Sequence, residues 1–129
     1  MSRYDAGMKT RRKVLGEAHV ERAETGKTEF DAPFQDMITE FAWGQVWSRP
    51  NISLRERSMI TIALLSAQGQ DEEIVMHARA AANTGASLDD IREVLLHVAI
   101  YAGVPAANHA FRLIKNSLAH DAKAGKAGS

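Results

Sequence analysis

The sequence contains no cysteine among its 129 residues. Disulfides, thiolate metal sites and thiol-based catalysis are therefore excluded, and redox chemistry would need a cofactor. An excess of either charge is also missing, because 16 Lys and Arg residues balance 16 Asp and Glu residues. This balance argues against nucleic acid as a partner, and we expect a small molecule instead.

Long apolar runs are missing as well. No run approaches the length of a membrane span, and the charged N-terminus, MSRYDAGMKTRRK, lacks the apolar region of a signal peptide. We therefore expect no membrane partner and a cytoplasmic location. A length of 129 residues suits one domain with its own core, so we predict a single domain over 1–129 with a frayed tail at about 121–129.

No segment alternates apolar and polar residues long enough to form a strand, which predicts an all-α fold of roughly five to seven helices. Two of these helices form a pair in the middle of the chain. The capping-box spacing of Ser53 and Glu56 predicts the start of the first, which is apolar on almost all sides and so belongs to the core. A turn at Gly69 follows, and we expect Asp71 to cap the second helix.

The remaining helices are predicted from apolar spacing and from residues that suit helix ends. Asp31 is expected to cap one of them, with Pro33 in its first turn. The spacing of Ser87 and Asp90 opens another. The predicted segments are 3–15, a short helix or irregular connection within 17–31, then 33–47, 53–68, 71–85, 87–103 and 105 to about 120.

The second helix of the central pair carries Glu73 and His77 at positions i and i+4, so that a carboxylate and an imidazole share one face. We expect chemistry on this face, although an ordinary exposed ion pair has the same spacing. Together with His109 the pair offers nitrogen and oxygen ligands for a metal. The spacing matches no metal motif, so we expect no metal site.

Four stretches carry a resemblance to a known family: RYDAGMKTRRKVLGEAHVERA, FAWGQVWSRP, LRERSMITIALLSAQGQDEEIVMHARAA and EVLLHVAIYAGVPAANHAF. They resemble the carboxymuconolactone decarboxylases, from about Arg3 to about Leu118. The resemblance implies an all-helical fold of the alkylhydroperoxidase-like type, a homo-oligomer that we expect to be a hexamer, and a carboxy-lyase without a cofactor. The implied reaction converts γ-carboxymuconolactone to β-ketoadipate enol-lactone and carbon dioxide in protocatechuate catabolism.

The peroxidase branch of that superfamily carries a Cys-x-x-Cys-x-x-x-His motif on the second central helix. By this spacing His77 keeps the histidine position, whereas Gln70 and Glu73 stand in place of the two cysteines. Ser58 stands in place of an upstream glutamate. Because the chain has no thiol to oxidise, a thiol peroxidase function is excluded.

The implied substrate is a dicarboxylate whose unsaturated lactone accepts the electrons released on decarboxylation. The protein must then supply cations, hydrogen-bond donors and one acid. Under the resemblance His77 is the candidate acid, which Glu73 would keep protonated and oriented. His109 is a candidate second donor, and a core histidine bonded to a backbone carbonyl explains it nearly as well.

Candidate substrate-binding residues are cationic or aromatic. Arg49, Arg55 and Arg57 cluster around the start of the first central helix, where positive charge opposes the helix dipole and a bound dicarboxylate would compensate it. Surface salt bridges are the competing explanation. Trp47 is predicted to line the pocket or to lie in the core or an interface, and Tyr101 to donate its hydroxyl to an oxyanion or to a backbone carbonyl.

Two other functions stay open at this point. The first is an enzyme of the same fold that acts on another small carboxylated lactone or keto acid. The second is a non-enzymatic helical module that binds a partner, because amphipathic helices around a polar pair would give a similar sequence.

Overall fold

A computed structural model describes residues 1–127, and side chains through residue 124. This part of the chain holds seven α-helices and one π-helix and contains no strand, which confirms the all-α prediction. None of these helices combines the length and apolar character needed to cross a membrane. The helices are α1 (Arg3–Leu15), α2 (Glu17–Thr25), α3 (Ala32–Met37), π1 (Ile38–Trp47), α4 (Leu54–Gln68), α5 (Asp71–Thr84), α6 (Leu88–Tyr101) and α7 (Val104–Ala127).

The predicted helix ends are confirmed where a side chain or a glycine satisfies the terminal backbone groups. Both capping boxes form, in which Ser53 pairs with Glu56 and Ser87 pairs with Asp90. Gly69 ends α4 in the left-handed conformation, and a second left-handed glycine ends α5. Such ends need glycine because a side chain is strained at positive φ.

Two predicted caps differ in the structure. Asp31 occupies the N-cap position of α3 as predicted, but its side chain makes no capping hydrogen bond, and Asp71 is not the N-cap of α5. The backbone N–H and the hydroxyl of Thr28 both donate to Asp31 Oδ1, at 2.7 and 3.1 Å, so this side chain stabilises the turn before α3. Gln70 occupies the N-cap position of α5. Asp71, the first residue of that helix, instead lies with its Oδ1 2.9 Å from His109 Nε2.

The last helix is longer than predicted. Its expected end near His120 is wrong, because α7 continues to Ala127. The guanidinium of Arg79 on α5 donates to both carboxylate oxygens of Asp121, at 3.1 and 2.8 Å, and so ties this extension to the bundle. Of the predicted tail, residues 128–129 lie outside the described part.

Helix α5 takes part in two apolar clusters. Its residue Ile74 belongs to the main core with residues of α4, α6 and α7, and is fully buried. Ala80 belongs to a second cluster with Val14 of α1 and Trp43 of π1. A side chain of α5 that lies between these two apolar clusters is therefore buried from both sides.

Helix α1 crosses π1 at a contact between two backbones. A Cβ atom on Gly7 would overlap the carbonyl oxygen of Thr39, and one on Gly44 would overlap that of Arg3. The close approach therefore requires glycine at both positions. Arg11 follows Gly7 by one helical turn on the same face of α1, so the crossing presses its side chain against π1.

Candidate active site

A cavity of about 610 Å³ lies between α1 and α2 on one side, α3 and π1 on another, and α5 on a third. Its size is in the range of small-molecule sites. We call it the His77 cavity, and its lining includes Arg11, His19, Trp47, Glu73 and His77.

His77 is 6% exposed and lies on the inward face of α5. The ring of Trp47 stacks on its imidazole at a centroid distance of 6.0 Å and an interplanar angle of 15°, and Trp43 stands behind Trp47 at 4.9 Å. Nδ1 of His77 is buried and has no hydrogen-bond partner among the described residues. A buried polar atom without a hydrogen-bond partner is costly to stability.

The expected ion pair between Glu73 and His77 is loose. Glu73 Oε2 lies 3.9 Å from His77 Nε2, beyond hydrogen-bond distance, and its side chain is half exposed. Burial first, and the charge of His19 second, lower the pKa of His77 from 6.5 to about 4. The expectation that Glu73 keeps the imidazole protonated is therefore wrong: at neutral pH it is neutral.

Arg11 contributes a buried guanidinium to the same cavity. Its Nη1 donates to Thr39 Oγ1 and its Nη2 donates to Gln35 Oε1, both at 3.1 Å. Its Nε is buried and has no hydrogen-bond partner in the described residues. The carboxylate of Glu24 lies 3.8 Å from Nη1, and that carboxylate is closer to Lys27, at 3.0 Å. The positive charge of Arg11 is therefore only partly compensated.

His19 is a second imidazole in the cavity and is half-buried. Burial lowers its pKa, and the nearby charges of Arg22 and Arg11 lower it further, whereas Glu73 acts in the opposite direction. The cavity thus combines one guanidinium with two imidazoles that favour the neutral form.

The three predicted arginines lie around the start of α4, and the lining of the His77 cavity in the described chain does not include them. Arg55 donates twice to Asp90, at 2.9 and 2.6 Å, and so joins the first turns of α4 and α6. Arg57 Nη2 donates to the carbonyl oxygen of Arg49 at 3.1 Å. A substrate-binding role for these arginines stays a prediction.

His109 and Tyr101 are also separate from the cavity lining. His109 on α7 pairs with Asp71, as described above, and Tyr101 is 80% exposed and stacks on His97 of α6 at 4.8 Å. Their predicted roles stay predictions. Across the described residues, no three His, Asp or Glu side chains come together in a way that could hold a metal ion.

The sequence interpretation missed Arg11 and His19. A signal for Arg11 exists, because Gly7, Arg11 and Val14 are spaced by four and three residues and so lie on one face of α1. Glycine and valine on that face indicate burial, and an arginine between them is a buried cation that needs a partner.

The chain matches known proteins over most of its length. Residues 32–116 match the model of the carboxymuconolactone decarboxylase family. The 4-carboxymuconolactone decarboxylase of Acinetobacter baylyi is 45% identical over 111 residues, which cover 86% of this chain and 83% of that protein. The chain belongs to the carboxymuconolactone decarboxylase family.

Two further relatives are named decarboxylases. The nitrosuccinic acid decarboxylase of Metarhizium robertsii is 39% identical over 89% of this chain and 80% of its own length. A 4-carboxymuconolactone decarboxylase of Pseudomonas putida is 55% identical over 42 residues, which are 33% of this chain and 88% of that protein. The match to the carboxymuconolactone decarboxylase family includes Trp47, Glu73 and His77, whereas Arg11 and His19 precede it.

Proposed function

We propose that this protein is a 4-carboxymuconolactone decarboxylase, which converts γ-carboxymuconolactone to β-ketoadipate enol-lactone and carbon dioxide, and that the His77 cavity is its active site. The 45% identity to the Acinetobacter baylyi enzyme over most of both chains carries the proposal. The cavity supports it, because it joins a guanidinium and titratable groups to an aromatic wall, as a small dicarboxylate lactone requires.

The reaction breaks the bond between the ring and its carboxylate. The electron pair of that bond delocalises into the ring double bond and onto the lactone carbonyl, which gives a dienolate, and carbon dioxide leaves. A proton then adds to the carbon next to the carbonyl. Because the lactone takes up the electrons itself, the protein has to position the dianion, stabilise the developing oxyanion and deliver one proton.

His77 is the proposed proton donor. Its imidazole is neutral at neutral pH because burial lowers its pKa. A bound dianion adds negative charge beside the ring, which favours the protonated form and raises the pKa toward the working pH. The bound substrate thereby favours the protonated form of His77, which then donates its proton to form the product.

Glu73 and Trp47 are proposed to assist His77. The half-exposed carboxylate of Glu73 lies 3.9 Å from the imidazole and is placed to pass protons from solvent to it. Trp47 stacks on a face of the imidazole ring and excludes water from that face. The aromatic wall also gives the departing carboxylate an apolar environment, which neutral carbon dioxide tolerates better than an anion does.

The direct test uses purified protein treated with a chelator and supplied with γ-carboxymuconolactone. We expect loss of the ultraviolet absorbance of the substrate together with release of an equal amount of carbon dioxide. Folded protein that releases no carbon dioxide would overturn the proposal. A rate that requires added metal would overturn the metal-independent chemistry.

A second candidate substrate is nitrosuccinic acid, favoured by the 39% identity to the Metarhizium robertsii enzyme. It too is a dicarboxylate in which an electron-withdrawing group stands beside the bond that breaks. The same assay with nitrosuccinate distinguishes the two, since the proposal requires a higher kcat/KM for the lactone.

We further propose a cytoplasmic homo-oligomer, with a hexamer expected from the resemblance. Self-association is supported by an exposed apolar groove of about 540 Å³ between α4 and α6. Its lining includes Ile60, Leu64 and Tyr101. These side chains are half or more exposed in the single chain. An apolar patch of this kind is typical of an interface between proteins.

A further inference from the structure

Arg11 stands out because its positive charge is buried and the carboxylate of Glu24 lies beyond hydrogen-bond distance from it. Two of its five N–H groups donate to Thr39 and Gln35, and the carboxylate of Glu24 stays 3.8 Å away. Removing a guanidinium from water is costly unless an anion faces it. The protein has nevertheless positioned this guanidinium in the wall of a cavity, which is expected of a group that binds an anionic ligand.

The contacts of Arg11 hold it rigidly. Thr39 is 1% exposed, accepts from Arg11 and donates its own hydroxyl proton to the carbonyl oxygen of Gln35 at 3.0 Å. The glycine crossing of α1 and π1 fixes the backbone from which Arg11 extends. A preorganised cation of this kind loses little conformational entropy when it binds a ligand.

On the basis of the proposed function, we infer that Arg11 binds the carboxylate of the acetate arm, which the product retains. Arginine suits this task because its planar fork matches a carboxylate. The residue precedes the part of the chain that matches the family model, residues 32–116, so that match assigns it no role.

The choice between the two substrate carboxylates follows from the direction of charge movement. Charge leaves the ring carboxylate in the transition state, so a guanidinium on that group would stabilise the ground state more and slow the reaction. A guanidinium on the retained carboxylate binds ground and transition states equally. It therefore lowers KM and leaves kcat nearly unchanged.

The test compares the diacid lactone with an analogue whose acetate arm ends in a primary amide. The wild-type protein is expected to prefer the diacid by roughly 10- to 100-fold in kcat/KM, the range of a hydrogen bond to a charged group. Arg11→Met is expected to lose this preference through KM, and Arg11→Lys to recover part of it. Arg12→Lys is the matched control, because the neighbouring Arg12 pairs with Glu17 and Glu21 outside the cavity.

The outcomes separate this inference from the proposed function. A wild-type protein that decarboxylates neither compound overturns the function itself. An active wild-type protein without the preference overturns the role of Arg11, as does a folded Arg11→Met that keeps it. Equal falls in kcat and kcat/KM would also overturn it, because they indicate an interaction made only in the transition state. Arg11→Lys keeps the charge opposite Glu24, so it provides the comparison if Arg11→Met does not fold.

Discussion

His77 illustrates how burial, rather than a neighbouring charge, sets the state of a functional group. Glu73 is near enough to favour the charged imidazole, but at 3.9 Å and half exposed to solvent it acts weakly. Loss of water around the ring outweighs it and lowers the pKa to about 4. A neutral ring in a dry, aromatic surrounding is poised to respond to the charge of an incoming dianion.

The lowered pKa of His77 predicts a pH-dependent stability. Between pH 6.5 and about 4 the unfolded chain binds a proton at this residue and the folded chain does not, so protons favour unfolding. The free energy of unfolding is therefore unaffected by the protonation of this residue above pH 6.5. It falls by roughly 3 kcal/mol as the pH is lowered from 6.5 to about 4.

Urea unfolding at a series of pH values measures this effect. We expect the free energy of unfolding of the wild-type protein to fall by that amount more than the free energy of unfolding of His77→Gln, which has no proton to bind. Parallel curves for the two proteins would contradict the buried, neutral imidazole.

At the residue scale, the sequence predicts which side chains share a helix face better than it predicts how deeply each side chain is buried. The i, i+4 relation placed Glu73 and His77 together, and the structure brings Trp47 to them across the fold. The environment of His77 depends on α1 and π1, which are distant in sequence, so its protonation state was predicted wrongly. Arg11 was missed for the same reason, because the partners that bury it lie 24 and 28 residues further along the chain.

At the scale of elements, the crossing of α1 and π1 positions the cationic side of the cavity. A π-helix is rare, and such segments occur often at functional sites. Here the hydroxyl of Ser48 donates to the carbonyl oxygen of Trp43 at 2.7 Å and also lies 2.7 Å from the hydroxyl of Thr10 on α1. Side chains thus complete the end of π1 and join it to α1.

The glycine contact at this crossing predicts a stability cost for any larger residue. Gly7→Ala places a Cβ against the carbonyl oxygen of Thr39, so the helices must separate. We expect the free energy of unfolding to fall by about 1–3 kcal/mol, the usual cost of overpacking.

Thermal or urea unfolding provides the measurement. Gly26→Ala is the control: its φ of −81° suits alanine, and the new Cβ would make only a tight contact of 3.2 Å with the carbonyl oxygen of Arg22, which a small shift relieves, in place of the overlap at Gly7. A Gly7→Ala protein as stable as the control would show that α1 and π1 are not in backbone contact.

Helix ends were predictable where the signal is local. The Ser53–Glu56 and Ser87–Asp90 boxes each span only four residues of sequence, and both form. Asp31 and Asp71 have the same chemistry but find other partners, Thr28 and His109, and the partner of Asp71 comes from another helix. The π-helical geometry of 38–47 leaves no comparable signal, because its apolar spacing resembles that of an α-helix.

At the scale of the whole molecule, the apolar groove between α4 and α6 predicts self-association. Leu64→Glu puts a charge into this groove and is expected to shift the protein toward smaller species in sedimentation velocity. Lys115→Glu changes an exposed charge on α7 and serves as the control. An unchanged oligomer in Leu64→Glu would assign the interface to another surface, and a monomeric wild-type protein would overturn the oligomer.

The central claim is that decarboxylation takes place beside His77. The most direct measurement is carbon dioxide release from γ-carboxymuconolactone by His77→Gln, with His120→Gln as the matched control, because His120 is exposed on α7 and belongs to the lining of neither the His77 cavity nor the groove between α4 and α6. We predict that His77→Gln lowers kcat on the order of 100- to 10,000-fold, the usual contribution of a general acid, while it stays folded. His120→Gln is predicted to retain the wild-type rate. A folded His77→Gln protein with wild-type kcat would contradict the account.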